Sequence, residues 1–190
     1  YIVRISHIKR EVFVLGDDRD PKLQIDGGLS RPRNGNLQDI LARVEIQSAL
    51  EGLAARWAAE RGISAAQLES VQDCLASIDE LIGATELSAD SLAQFLALNA
   101  RFHGLVVEAV QCRTLNQHAE NAPPNILALP RVSQVLASDP TKLRTVLIIE
   151  QDQHHRILEA IQTGMGARAE SLIREHSLLS KRHLLDVASA

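Results

Sequence analysis

Aromatic residues are scarce in this 190-residue chain, where Phe, Trp and Tyr together make up 3%. Alanine and leucine stand in their place, a balance that favours helix over strand. Cysteine occurs twice, at Cys74 and Cys112, with no metal-binding spacing. Two isolated thiols suit a reducing cytosol, so a cytoplasmic location is expected. Long apolar runs are missing, which argues against a membrane span. Excess positive charge is missing too: the formal net charge is −4, so the chain as a whole is not an electrostatic nucleic-acid binder. Methionine occurs once, at Met165, and the sequence starts at Tyr1. It is therefore expected to be an incomplete chain.

What is present is a globular composition. Hydrophobic residues make up 45%, enough for one domain with a core, or one domain plus a small appendage. Residues 1–16 read as a β-hairpin, "YIVRI" and "EVFVL" alternating around the polar "SHIKR". Residues 17–35 are rich in Gly, Pro and Asp and read as a linker. From Asn36 to residue 190 the pattern is helical. Leu37, Ile40, Leu41, Val44, Leu50, Leu53, Ala54, Trp57 and Ala58 keep a helical period, and Gly62 ends it. Ser64 and Gln67 predict a capping box for a second helix ending near Gly83. The third helix carries "SLAQFLALNARFHGLVVEAV". Pro123, Pro124 and Pro130 then forbid one continuous helix. Asp139 caps the next helix, with Pro140 at its first position, and that helix runs to about Gln162. "TGMG" turns the chain into a last helix from about Ala167 to Ala188. The fold class is therefore all-α: an antiparallel bundle of six to seven helices, preceded by a short β-hairpin.

Helical phase sorts the histidines. Leu92, Leu96, Asn99, His103, Val106 and Val110 share a face, so Asn99 and His103 point inward together. In "EQDQHHRILEAI", His154 continues the stripe of Leu143, Leu147, Leu158 and Ile161, while His155 is rotated from it by about 100°. On the last helix His176 shares a face with Ala169, Leu172, Ile173 and Ser180. His7, His118 and His183 read as surface or half-buried residues. Three helices thus each aim one imidazole inward, and an imidazole in an apolar core is costly unless something satisfies it. A divalent metal would satisfy all three at once, because neutral imidazole ligates Zn, Ni, Cu or Fe. Phase leaves their relative heights open.

"VEIQSALEGLAARWAAERG" (44–62), "LNARFHGLVVEA" (98–109), "HHRILEAI" (154–161) and "ARAESLIREH" (167–176) resemble, in order and spacing, the FCD domain. This is the effector-binding domain of GntR-type, FadR-like bacterial transcription regulators. The resemblance covers roughly residues 37–185. It implies a helical bundle around a small-molecule cavity, in which many members hold a divalent metal, here Zn or Ni by expectation, through an Asp and three His. By position the histidines are His103, His154 and His176, and the family's Asp falls on Asn99. An amide is a neutral, weaker donor, and an ion held by neutral ligands would attract an anionic effector more strongly. Gln47 stands where the family often has Arg; Arg43, one turn earlier, would offer a cation to an effector carboxylate. The resemblance also implies a homodimer acting on operator DNA through a winged-helix domain. Residues 1–16 resemble the wing of such a domain, with Lys9 and Arg10 able to touch phosphate.

Three functions compete. The first is a sensor that binds a small organic acid, at a metal, and acts on DNA. The second is a helical metallohydrolase or oxidase. The absence of HExxH and of a doubled Glu-x-x-His speaks against it, and only Glu150 and Glu108 are candidate bases; the chain is not expected to be an enzyme. The third is a metal-free bundle whose histidines bind an organic anion directly.

Overall fold

The computed structural model describes residues 37–119 and 130–188, with side chains in the last helix described up to Arg182 apart from Ser180. The expected hairpin 1–16 and linker 17–35 lie outside the described residues, as do the side chains of His118 and His183. Seven helices are present among the described residues: α1 (Leu37–Arg61), α2 (Ala65–Gly83), α3 (Ala89–Glu108), α4 (Arg113–Ala119), α5 (Pro130–Ala137), α6 (Pro140–Gln162) and α7 (Gly166–Ala188). No strand occurs among the described residues, and none of their helices is long and apolar enough to cross a membrane.

Local chemistry explains most boundaries. Gly62 adopts φ +77°, which ends α1 in a conformation that costs a glycine little. The capping box of α2 is complete: Ser64 Oγ accepts from Gln67 N at 3.3 Å, and Ser64 N donates to Gln67 Oε1 at 2.9 Å. The third helix starts at Ala89, earlier than the apolar pattern suggests, because Ser88 and Ser91 form a second reciprocal cap. Asp139 Oδ1 accepts from Lys142 N at 3.0 Å, and Pro140 occupies the first turn of α6, where its missing N–H is no loss. Between α6 and α7, Gly164 takes φ +71° and turns the chain back.

The core is shared by several faces. Phe95 and Phe102 of α3, Leu75 and Ile78 of α2, Leu147 and Ile157 of α6 and Ile173 of α7 are fully buried. α1 and α7 run antiparallel, with Glu45 paired to Lys181 at one end and Gly166 against Arg56 and Glu60 at the other. Two glycines permit that approach. A Cβ on Gly52 would lie 3.3 Å from the Glu170 carbonyl oxygen, and one on Gly166 would lie 2.7 Å from Glu60 Cγ and 3.1 Å from the Arg56 carbonyl oxygen. α6 packs against α7 on one side and α2 on another, and α2 in turn packs on α3. Histidines on α3, α6 and α7 therefore face a common interior.

The end of α2 is satisfied from elsewhere in the chain. Arg144 of α6 donates Nη1 to the Ile82 carbonyl at 2.6 Å and Nη2 to those of Ala84 and Thr85 at 2.7 and 3.0 Å. α2 has no basic residue in its own last turn, so this guanidinium answers carbonyls left open by the helix end. Replacing it, in Arg144→Ala, is expected to lower the unfolding free energy by about 1–2 kcal/mol, the scale of charge-assisted hydrogen bonds at a partly exposed site. Urea denaturation followed by circular dichroism checks this. Arg144→Lys should recover only part of the loss, since one ammonium cannot reproduce the planar fork.

Candidate metal centre

α3, α6 and α7 bring His103, His154 and His176 together. One potential ligand atom from each lies within 4.8 Å of the others. Ring centroids are 5.5 Å apart for His103–His154, 5.2 Å for His103–His176 and 4.8 Å for His154–His176. His154 and His176 are buried, and His103 is half-buried with 14% of its side chain exposed. Phe102, fully buried, tilts against His154 at 4.4 Å and walls the cluster on the α3 side. His155 turns outward and meets Asp79 of α2, its Nε2 at 3.0 Å from both carboxylate oxygens.

Each clustered ring has an oxygen close to Nδ1. His103 Nδ1 lies 2.8 Å from Glu51 Oε2, His154 Nδ1 lies 3.1 Å from Gln151 Oε1, and His176 Nδ1 lies 2.9 Å from Gln153 Oε1. At His154 the oxygen acceptor on Nδ1 places the proton there and leaves Nε2 with a lone pair, whereas His176 meets an oxygen at both ring nitrogens. His154 Nε2 is buried with no hydrogen-bond partner. Such an orphan costs about 1–3 kcal/mol if nothing fills it. A cation accepted by three imidazole lone pairs is a group these residues fit.

The protonation states agree with that chemistry. Burial holds His154 well below the ordinary imidazole value, and the neighbouring His176 and His103 add to the effect. Burial likewise pushes His176 down to about 3, with repulsion from His103 outweighing the pull of Glu51. Both are therefore neutral at neutral pH, the form in which an imidazole is able to ligate a metal. His103 goes the other way: burial would lower it, but attraction to the adjacent Glu51 carboxylate raises it. Glu51 is lowered in turn, burial being outweighed by His103 and by the hydrogen bond from Gln47.

Asn99 is buried one turn before His103, and its Oδ1 has no hydrogen-bond partner. Gln47 is half-buried and donates to Glu51 Oε1 at 2.6 Å. Arg43 is exposed on α1. Of the two candidate bases, Glu108 is exposed, whereas Glu150 is fully buried with Oε2 at 3.3 Å from His176 Nε2. Glu51 escaped the sequence reading, although a carboxylate one turn before Ala55 and two before Ala58, on the inward stripe of the first helix, was its signal. Its presence corrects one expectation. Asn99 supplies no charge, yet Glu51 and Glu150 bring two carboxylates against the imidazoles, so the surroundings of the cluster are not neutral.

These features define an all-α domain with a buried polar centre of three imidazoles braced by carboxylates and amides. The sequence profile of the FCD domain matches residues 43–178, a stretch that contains every one of the residues just described. The chain belongs to the FCD domain family, whose members are effector-binding domains of GntR-family transcription regulators. No curated protein matches the chain.

The lowered imidazoles set the pH response of the metal-free domain. An unfolded imidazole titrates near 6.5, while folded His176 waits until about 3 and folded His154 also lies well below 6.5. Below 6.5 the unfolded chain binds protons that the folded one refuses, so stability falls with falling pH. His103 has the opposite sign, its contribution being present below 6.5 and lost as pH rises through its folded value. Unfolding between about pH 6 and pH 4 is expected to take up about two protons from this pair of histidines. Unfolding free energies measured across that range check this, and His176→Gln should show a visibly shallower slope.

Proposed function

We propose that this domain senses a small organic acid by holding a divalent metal through His103, His154 and His176, with Asn99 Oδ1 as the fourth donor. The observation that carries the reading is the convergence of three imidazoles within 4.8 Å, one of them with an unpartnered buried Nε2. Zn or Ni suits a set of imidazoles completed by one amide oxygen. When bound, the metal supplies a Lewis-acidic centre for a carboxylate. The chain's own residues orient the imidazoles through Glu51, Gln151 and Gln153 and keep water out with Phe102. Gln47, beside Glu51, and Arg43, exposed one turn earlier, are the α1 positions proposed to meet the acid.

The metal-free alternative is less well supported. Glu51 and Glu150 already press carboxylates against the cluster, and an organic anion placed there without a cation would meet their repulsion. A metal reverses that balance. A hydrolytic role gains little either, since Glu150 is fully buried against His176 and the family is one of regulators. We further propose that the protein acts in the cytoplasm as a homodimer on operator DNA, through a winged-helix domain of which residues 1–16 form the wing. Acid binding would shift the relative disposition of paired DNA-binding domains.

Purified protein is expected to contain about one divalent ion per chain. Chelation should lower its melting temperature, by an amount set by metal concentration over Kd. His154→Ala should remove both the ion and the chelator response. Titration calorimetry with a panel of small carboxylates then separates the readings. Binding that disappears on chelation supports the metal, and binding that survives complete metal removal overturns it.

A further inference from the structure

Gln151 sits on α6, 4% exposed, where that helix faces α2. Its amide nitrogen lies 3.0 Å from the Leu75 carbonyl oxygen and 2.8 Å from Asp79 Oδ1. Both neighbours are acceptors, and an amide nitrogen has two hydrogens, one for each. His155 Nε2, 3.1 Å from the same nitrogen, also lies 3.0 Å from both Asp79 carboxylate oxygens; a carboxylate only accepts, so this ring nitrogen carries a proton and offers no competing acceptor. The amide therefore has one satisfactory orientation, because a flip would point its oxygen at a carbonyl and a carboxylate. In that orientation Gln151 Oε1 faces His154 Nδ1 at 3.1 Å. Amide oxygen only accepts, so Nδ1 carries the proton and Nε2 is the bare nitrogen. That bare nitrogen is the buried atom without a partner.

We propose that Gln151, locked by the Leu75 carbonyl and Asp79, is a positioning residue that fixes the tautomer and aim of His154. Through it α2 becomes part of the centre while contributing no ligand. The cluster then meets a cation with the His154 lone pair already exposed, and no ring flip or proton shift precedes binding. Asp79 is reachable from solvent, with about half of its side chain exposed, so the brace can be loosened from the surface without opening the core. The effect on metal affinity rests on the metal reading above; the tautomer does not.

Two variants and two readouts test this. Zinc affinity is measured by competition with a chromophoric chelator for the wild type, Gln151→Leu and Asp79→Ala. The His154 ring tautomer is read in metal-free protein from long-range ¹⁵N–¹H spectra, its signals assigned by their loss in His154→Gln. The wild type should show the Nδ1–H form. Gln151→Leu should weaken zinc binding by about ten- to a hundredfold, the usual scale for losing an outer-shell partner of a ligating histidine. Asp79→Ala changes an exposed residue. It should weaken zinc binding by a smaller factor and bring the Nε2–H form into view. An Nε2–H ring in the wild type overturns the proposal, and so does equal zinc affinity in all three proteins. A wild type that takes up no zinc overturns the metal reading instead, and the tautomer then decides the role of Gln151 alone.

Discussion

An imidazole carried into an apolar interior brings two nitrogens that water no longer serves, and each needs a partner of its own. Three such rings meet in this bundle, so six ring nitrogens must be accommodated in one small region. Much of the surrounding structure answers that demand. Glu51, Gln151 and Gln153 each present an oxygen to one Nδ1. The helices that carry these groups are held at fixed separations, by the glycines that let α1 approach α7 and by the Arg144 fork that ties α6 to the end of α2. A shift of any of these helices by an ångström or two would leave a buried nitrogen without its oxygen.

Charge balance follows from the same arrangement. With Asn99 uncharged, the cluster would be a purely neutral pocket were it not for Glu51 and Glu150. Glu51 holds His103 in the protonated direction, while burial and mutual repulsion keep His154 and His176 neutral. The centre is thus prepared asymmetrically: two rings stand ready to donate lone pairs, and the third is paired with a carboxylate. A divalent ion would replace the His103 proton as the positive partner of Glu51, so the acidic side chain serves the centre with or without a metal.

On the proposed reading, a ligand at this centre would act on the whole bundle. His103, His154 and His176 draw in α3, α6 and α7 directly, and α1 and α2 join through Glu51 and through Gln151 with Asp79. Binding that tightens the cluster therefore changes contacts on five helices at once, including the first, which follows the segment leading from the N-terminal residues. Coupling of that kind requires only that the two arrangements of the bundle differ in their affinity for the ligand.

The amino-acid sequence determined the helices, their ends and their inward faces. Ser64–Gln67, Asp139–Pro140 and Gly62 act within a few residues of themselves, and a 3.6-residue period says which side chains share a face. That is why His154 rather than His155 could be read as inward, and why FCD membership was legible in four short pieces. The expected hairpin lies outside the described residues, and the third helix begins earlier than its apolar pattern because two serines cap it. What only the tertiary structure decided is height along each helix and who stands opposite. Periodicity gives an angle around an axis; it carries no information on how far one axis has slid along another. Whether three inward histidines meet, whether Glu51 reaches His103, and whether a glutamine of α6 is locked by a carbonyl and a carboxylate of α2 depend on those displacements. They are settled by packing between residues more than 20 positions apart, which no local pattern encodes.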